Sequence, residues 1–169
     1  MKRYLSPLCD SGCKKRIPIS GLLIAGILLL ILVNFTWAVT PLSDERVKEA
    51  QQCGINVVDI NGAKELIKKG AVIVDVREYT EYVAEHIPGA IWAPRGLMDF
   101  QAFTWLPDKE KTYLIYCKTG GRGSIVTCDL KKLGYKNVYN LKGGFEAWKK
   151  AGEPVEKGEP EGMGKGIKK

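Results

Sequence analysis

The stretch Tyr113-Leu114-Ile115-Tyr116-Cys117-Lys118-Thr119-Gly120-Gly121-Arg122-Gly123-Ser124 constrains the fold more than any other part of the chain. An apolar, β-prone run ends in a cysteine, three glycines follow, and a helical pattern opens straight afterwards and extends to about Leu133. A buried strand that turns through glycines into a helix is a building unit of open α/β sheets, whose carboxyl strand ends gather ligands. Glycines at 120, 121 and 123 let the backbone close tightly, with amide N–H groups pointing inward. Together with the helix N-terminus they make a concave anion site. Lys118 and Arg122 add positive charge beside it, an arrangement expected to favour the thiolate and raise nucleophilicity. Cys117 is therefore the candidate nucleophile, and Lys118, Thr119, Gly120, Gly121, Arg122 and Gly123 form the candidate substrate-binding loop. A merely structural cysteine in a turn leaves the glycines and cations without a reason.

The same alternation runs through residues 55–152. Strand-like segments at Asn56 to Ile60, Ala71 to Val76, Ala90 to Trp92, Thr112 to Tyr116 and Asn137 to Asn140 are interleaved with helical ones at Gly62 to Lys69, Thr80 to Glu85, after the glycine loop, and at Phe145 to Ala151. The residues between Trp92 and Pro107 read as irregular. Short apolar strands separated by helices predict an α/β domain of three layers around a central, mostly parallel sheet.

Residues 1–16 form a basic leader, and residues 17–39 are strongly apolar, with no polar side chain from Gly21 to Val33. Twenty-three residues are enough to span a hydrocarbon core of about 30 Å at about 1.5 Å per residue. Two readings stay open: a retained transmembrane anchor, or a signal-peptide core with Thr36-Trp37-Ala38 as its cleavage site. In both, the positive flank holds the N-terminus in the cytoplasm and sends Thr40 onward outside, to the periplasm or cell exterior. Residues 40–54 carry a short helix over Ser43 to Cys53, read as a linker. Residues 153–169, rich in Gly, Glu and Lys, read as a flexible tail.

The net charge of +7 is concentrated in the leader: without residues 1–16 the chain has 21 Lys/Arg against 18 Asp/Glu. That balance argues against a nucleic-acid partner. One histidine and scattered cysteines give no metal-ligand spacing, so no metal or other cofactor is expected. Cysteines at 9, 13, 53, 117 and 128 contain no CxxC pair and are not a disulfide framework. Cys128 reads as a small buried residue and Cys53 as an exposed one. The CxxxC pair of Cys9 and Cys13 has no further ligands nearby.

The loop around Cys117 resembles the active-site loop of the rhodanese family, and Val74 to Ile91 (VDVREYTEYVAEHIPGAI) and Leu133 to Gly152 (LGYKNVYNLKGGFEAWKKAG) are similar to other parts of that family's domain. The resemblance implies an α/β rhodanese-like fold and a cysteine, here Cys117, that carries sulfane sulfur as a persulfide from a small anionic donor such as thiosulfate to a thiol or cyanide acceptor. Membrane association would come through residues 17–39 if they are uncleaved. The sequence departs from the family at Gly123, where a serine often follows the arginine. Related phosphatases of similar fold need a longer loop; here arginine lies five residues after cysteine, which favours sulfur over phosphate or arsenate. Asp75 and Arg77 form a DVR pattern shared with the family and are candidate supporting residues, with a structural ion pair as the competing reading. His86, in HIPGA, reads as a turn residue rather than a base, and Phe145 and Trp148 read as core. A rival of another class is a membrane-tethered sulfur-carrier or binding module with little turnover of its own.

Overall fold

The computed structural model describes residues 42–161. The expectations for residues 1–16 and 17–39, for Cys9 and Cys13, and for the last eight residues lie outside them. Among the described residues no helix is long and apolar enough to cross a membrane.

The chain alternates through α1 (Leu42–Gln52), β1 (Asn56–Val58), α2 (Ile60–Lys68), β2 (Val72–Asp75), α3 (Tyr79–Ala84), β3 (Ile91–Trp92), α4 (Arg95–Trp105), β4 (Thr112–Tyr116), α5 (Gly121–Lys132), β5 (Asn137–Leu141) and α6 (Gly144–Lys150). The five strands pair in parallel in the order β1-β5-β4-β2-β3, as the two-sided apolar runs predict. β4 lies at the centre, so its side chains are buried on both faces. Tyr113 and Ile115 pack with Met98, Ala102 and Trp105 of α4 and Val126 and Leu130 of α5. Leu114 and Tyr116 face the other way, toward Ala63, Tyr82, Phe145 and Trp148. Because β4 is held from both sides, the residue that follows its end, Cys117, starts from a rigid support.

Three segments differ from the sequence expectation. The stretch expected to be irregular contains α4. Its buried stripe of Met98, Ala102 and Trp105 has helical spacing, but exposed Leu97, Phe100 and Phe103 blur the period, Gly96 weakens the start, and Pro94 offers no capping side chain. Its end is held from elsewhere, by the Tyr135 hydroxyl, whose one proton is shared between the carbonyls of Leu106 (2.6 Å) and Ala102 (3.1 Å).

α1 packs on α5 instead of acting as a spacer. Ala50, with Val47, Cys53 and Ile55 around it, meets Ile125 and Cys128, Lys132 Nζ pairs with Glu49 at 2.7 Å, and Cys53 and Cys128 form a disulfide with Cα atoms 5.9 Å apart. The reading of these two as separate thiols is therefore corrected; nothing in their spacing signals the bond, because they meet only once α1 docks.

The tail is ordered through residue 161. Glu156 and His86 exchange backbone hydrogen bonds of 2.8 and 2.9 Å, Trp148 Nε1–H donates to the Pro154 carbonyl at 2.8 Å, and Lys64 Nζ meets Glu153 at 2.6 Å. Low hydrophobicity misled here because the tail is held by polar bonds rather than by an apolar face.

Candidate active site

Cys117 sits one residue past β4, is 1% exposed, and is the free cysteine among the described residues. The Gly120 N–H donates to its Sγ at 3.1 Å. Gly120 has φ +103°, a region side chains disfavour, and this lets its carbonyl turn toward α5 while its N–H stays on the sulfur. Its carbonyl then accepts from Ser124 N at 2.9 Å, the first bond of α5. One glycine thus aims an N–H at the sulfur and starts the helix behind it.

The loop is also held from α6. Phe145 N and Glu146 N donate to the carbonyls of Cys117 (2.8 Å) and Lys118 (3.0 Å). This approach requires Gly144, since a Cβ there would overlap both carbonyls. Gly143 and Gly144 received no role from the sequence, although a glycine doublet directly before a helix was a signal. Asn140, on the end of β5, is buried, and its Nδ2 donates to the Gly120 carbonyl at 3.2 Å. No pattern flagged it beyond its being a polar residue at the end of an apolar strand.

The two cations of the loop are not free. Arg122 forks onto Glu81 with contacts of 2.8 and 2.9 Å and lies 3.8 Å from Glu78, while Lys118 Nζ lies 3.6 Å from Glu146 and is exposed. Lys118 and Arg122 thus lie beside the loop with carboxylate partners of their own. Arg122 holds the Glu81 carboxyl below its ordinary range, and Glu81 in turn raises Arg122. Glu81 also accepts from the Glu78 N–H at the start of α3 (3.1 Å), so the loop and α3 are joined through one carboxylate. Thr119 is exposed.

Asp75, the last residue of β2, and Arg77, two residues further on, are buried as a pair with an Nη2–Oδ2 distance of 2.6 Å. Arg77 also donates to the Glu85 carbonyl (2.7 Å) and lies 4.2 Å from the Phe145 ring centroid. Burial works against the charge on Arg77, but the Asp75 carboxylate outweighs it and raises its pKa. With every strong contact internal, this pair buttresses α3 and α6, the two helices that hold the loop. His86 is engaged by Tyr82 and Glu156, away from the loop residues. Phe145 and Trp148 are buried in the core, and Phe145 also lines the cleft described next.

Two clefts flank the loop. One of about 450 Å³ is lined by Arg77, Glu81, Lys118, Phe145, Glu146 and Lys149. The other, about 430 Å³, lies between α1 and the loop and is lined by Val47, Gln51, Gly120, Gly121, Asn140 and Lys142 among others. Neither holds a group of three or more His, Cys, Asp or Glu suited to a metal ion among the described residues.

A parallel sheet in this order, with a cysteine cradled at the end of its central strand by a glycine loop and a helix start, defines a rhodanese-type domain. The Rhodanese-like domain family model matches residues 59–151, more than half of the chain, and the chain belongs to that family. It is 42% identical over 88 residues to the thiosulfate sulfurtransferase GlpE of Coxiella burnetii, covering 52% of this chain and 80% of that protein. It is 31% identical to the mitochondrial protein HIGH ARSENIC CONTENT 1 of Arabidopsis thaliana, covering 58% of this chain and 64% of the relative. Among solved structures, a Rhodopseudomonas palustris protein described as a possible tyrosine phosphatase superposes with a TM-score of 0.60 at 28% identity, over 70% of this chain and 97% of its own. A thiosulfate sulfurtransferase from Pseudomonas aeruginosa superposes with a TM-score of 0.62 over 70% of this chain and 23% of its own; at 23% identity it speaks for the fold alone.

Proposed function

We propose that this chain is a sulfurtransferase in which Cys117 is the nucleophile and the persulfide carrier. The observation that carries the reading is the Gly120 N–H donated to Cys117 Sγ at 3.1 Å, inside a loop whose arginine comes five residues after the cysteine. In the first half-reaction the Cys117 thiolate attacks the outer sulfur of thiosulfate. A Cys117 S–S bond forms, the sulfur–sulfur bond of the donor breaks, and sulfite leaves with the electron pair. In the second, a thiolate or cyanide attacks the outer sulfur of the persulfide and Cys117 leaves as thiolate. Loop amides stabilise the anionic sulfur throughout. The family resemblance and the sulfurtransferase among its relatives support this reading over a phosphate-directed one, which the short loop disfavours.

Thiosulfate:cyanide transfer by the full chain, with Cys117→Ser beside it, tests the reading. Transfer is expected from the wild type and not from the folded variant, with a mass gain of one sulfur atom on Cys117 after donor alone. Transfer by folded Cys117→Ser would overturn the mechanism. Sulfur loading without turnover would favour a carrier whose partner completes the chemistry.

The domain works outside the cytoplasm in this proposal, anchored or exported through residues 17–39. Support comes from the basic run before the apolar segment and from the Cys53–Cys128 disulfide, a bond that persists in oxidising compartments. A phosphatase reporter fused after Lys169 should be active in the periplasm; activity confined to the cytoplasm would reject this placement.

A further inference from the structure

We propose that Asn140 is the positioning residue of the Cys117 loop, and that it and Gly123 form a coupled pair in which the asparagine amide occupies the space a side chain at 123 would need. The inference deepens the sulfur-transfer reading and rests on it for the kinetic part of its test.

Asn140 lies on β5 opposite Ile115 of β4, two residues before Cys117 in the central strand. Its Nδ2 donates to the Gly120 carbonyl at 3.2 Å. A carbonyl only accepts, so the nitrogen must face it and the amide orientation is settled. The same carbonyl receives Ser124 N, and the peptide on the other side of Gly120 gives its N–H to Cys117 Sγ. Gly120 is thus gripped from the helix and from the sheet, and among the described residues the sheet's grip is the Asn140 amide. Without it, a glycine with φ +103° has one anchor fewer holding the amide on the sulfur.

With Nδ2 so placed, Oδ1 turns toward α5. It is buried without a hydrogen-bond partner, an arrangement that costs stability and calls for a compensating use. A Cβ built on Gly123 would overlap this oxygen and come within 3.4 Å of the Asn140 Cγ. Glycine in the first turn of α5 is a poor helix former relative to alanine, so its presence follows from Asn140, and the missing serine after Arg122 has the same cause. A larger residue at 123 would displace the amide, release the Gly120 carbonyl and loosen the N–H on Cys117.

The test is a double-mutant cycle in the full, non-reduced chain with Asn140→Ala, Gly123→Ala and the double variant. Three quantities are read: the iodoacetamide alkylation rate of the Cys117 peptide by mass spectrometry, kcat and KM for thiosulfate:cyanide transfer, and Tm. Each single substitution is expected to lower alkylation about fivefold and kcat about tenfold with KM within about twofold, the pattern of a misplaced cradle rather than lost binding. Adding Gly123→Ala to Asn140→Ala should cost almost nothing more, because the clash is gone. Wild-type alkylation in Asn140→Ala, or fully additive losses, would overturn the proposal, as would losses that merely follow Tm. If Asn140→Ala does not fold, the uncharged and similarly sized Asn140→Leu carries the comparison: it fills the space and loses the N–H, so alkylation should fall equally. A wild type that transfers no sulfur would defeat the proposed function and leave the alkylation cycle to judge the pair.

Discussion

Arg122 reaches across from α5 to clasp Glu81 of α3 with two hydrogen bonds of 2.8 and 2.9 Å, so the most conspicuous cation of the loop is already neutralised by the protein itself. A dianionic donor must share or displace that carboxylate. Glu81→Gln is therefore expected to lower KM for thiosulfate about three- to tenfold with little change in kcat, and Arg122→Ala to raise it. Steady-state kinetics at low ionic strength decide; an unmoved KM in both variants would remove Arg122 from donor binding.

The same pair sets an acid dependence. Arg122, aided by the Glu78 amide, holds the Glu81 carboxyl below its ordinary value against the opposing effect of burial. A depressed carboxyl contributes its full stabilisation above the unfolded-state value of about 4.3 and loses it as pH falls through the lower native value. Glu81→Gln should cost about 1 kcal/mol at pH 7, and the gap to wild type should narrow as pH falls below about 4.3 and close once the native Glu81 carboxyl is protonated. Urea midpoints at pH 7 and through the acid range measure this, and a constant gap would contradict it.

Replacing either disulfide partner tests the docking of α1. The bond closes a sequence separation of 75 residues, and its loss is expected to cost about 2–4 kcal/mol. Transfer activity should survive in Cys53→Ser, because Cys117 is held by the Gly120 amide and not by α1. Thermal denaturation with and without reductant supplies the comparison: reductant should lower the wild-type Tm and leave the variant's unmoved.

Removing residues 153–169 tests the tail. The deletion strips Glu156 from His86, Pro154 from the Trp148 indole and Glu153 from Lys64. At about 1 kcal/mol for each partnered group lost, a drop of about 2–3 kcal/mol in unfolding free energy is expected, with faster proteolysis near α3. An unchanged urea midpoint would mean that the tail is held without stabilising the domain.

What could be read beforehand was what local pattern controls. β4 matched its expected bounds, and α5, β5 and α6 came within a residue or two, because apolar runs and glycine punctuation act over a few neighbours. Cys117 was legible for the same reason: strand end, turn and helix start are contiguous in the chain. α4 was not, since its buried stripe is shared with exposed aromatics. Glu81, Asn140 and the Cys53 partner of Cys128 lie 41, 20 and 75 residues from the groups they serve. No short-range rule reaches that far.

The disulfide also poses a problem of partner choice. Three cysteines of the described residues can pair two at a time in three ways, and only the Cys53–Cys128 pairing leaves Cys117, the proposed nucleophile, unblocked. The fold makes that choice by placement: Cys53 and Cys128 meet across the contact of α1 with α5, whereas Cys117 lies under the loop between β4 and α5. Position thus sorts the sulfurs of the described residues into two that cross-link and one that stays a thiol, 1% exposed under its own loop.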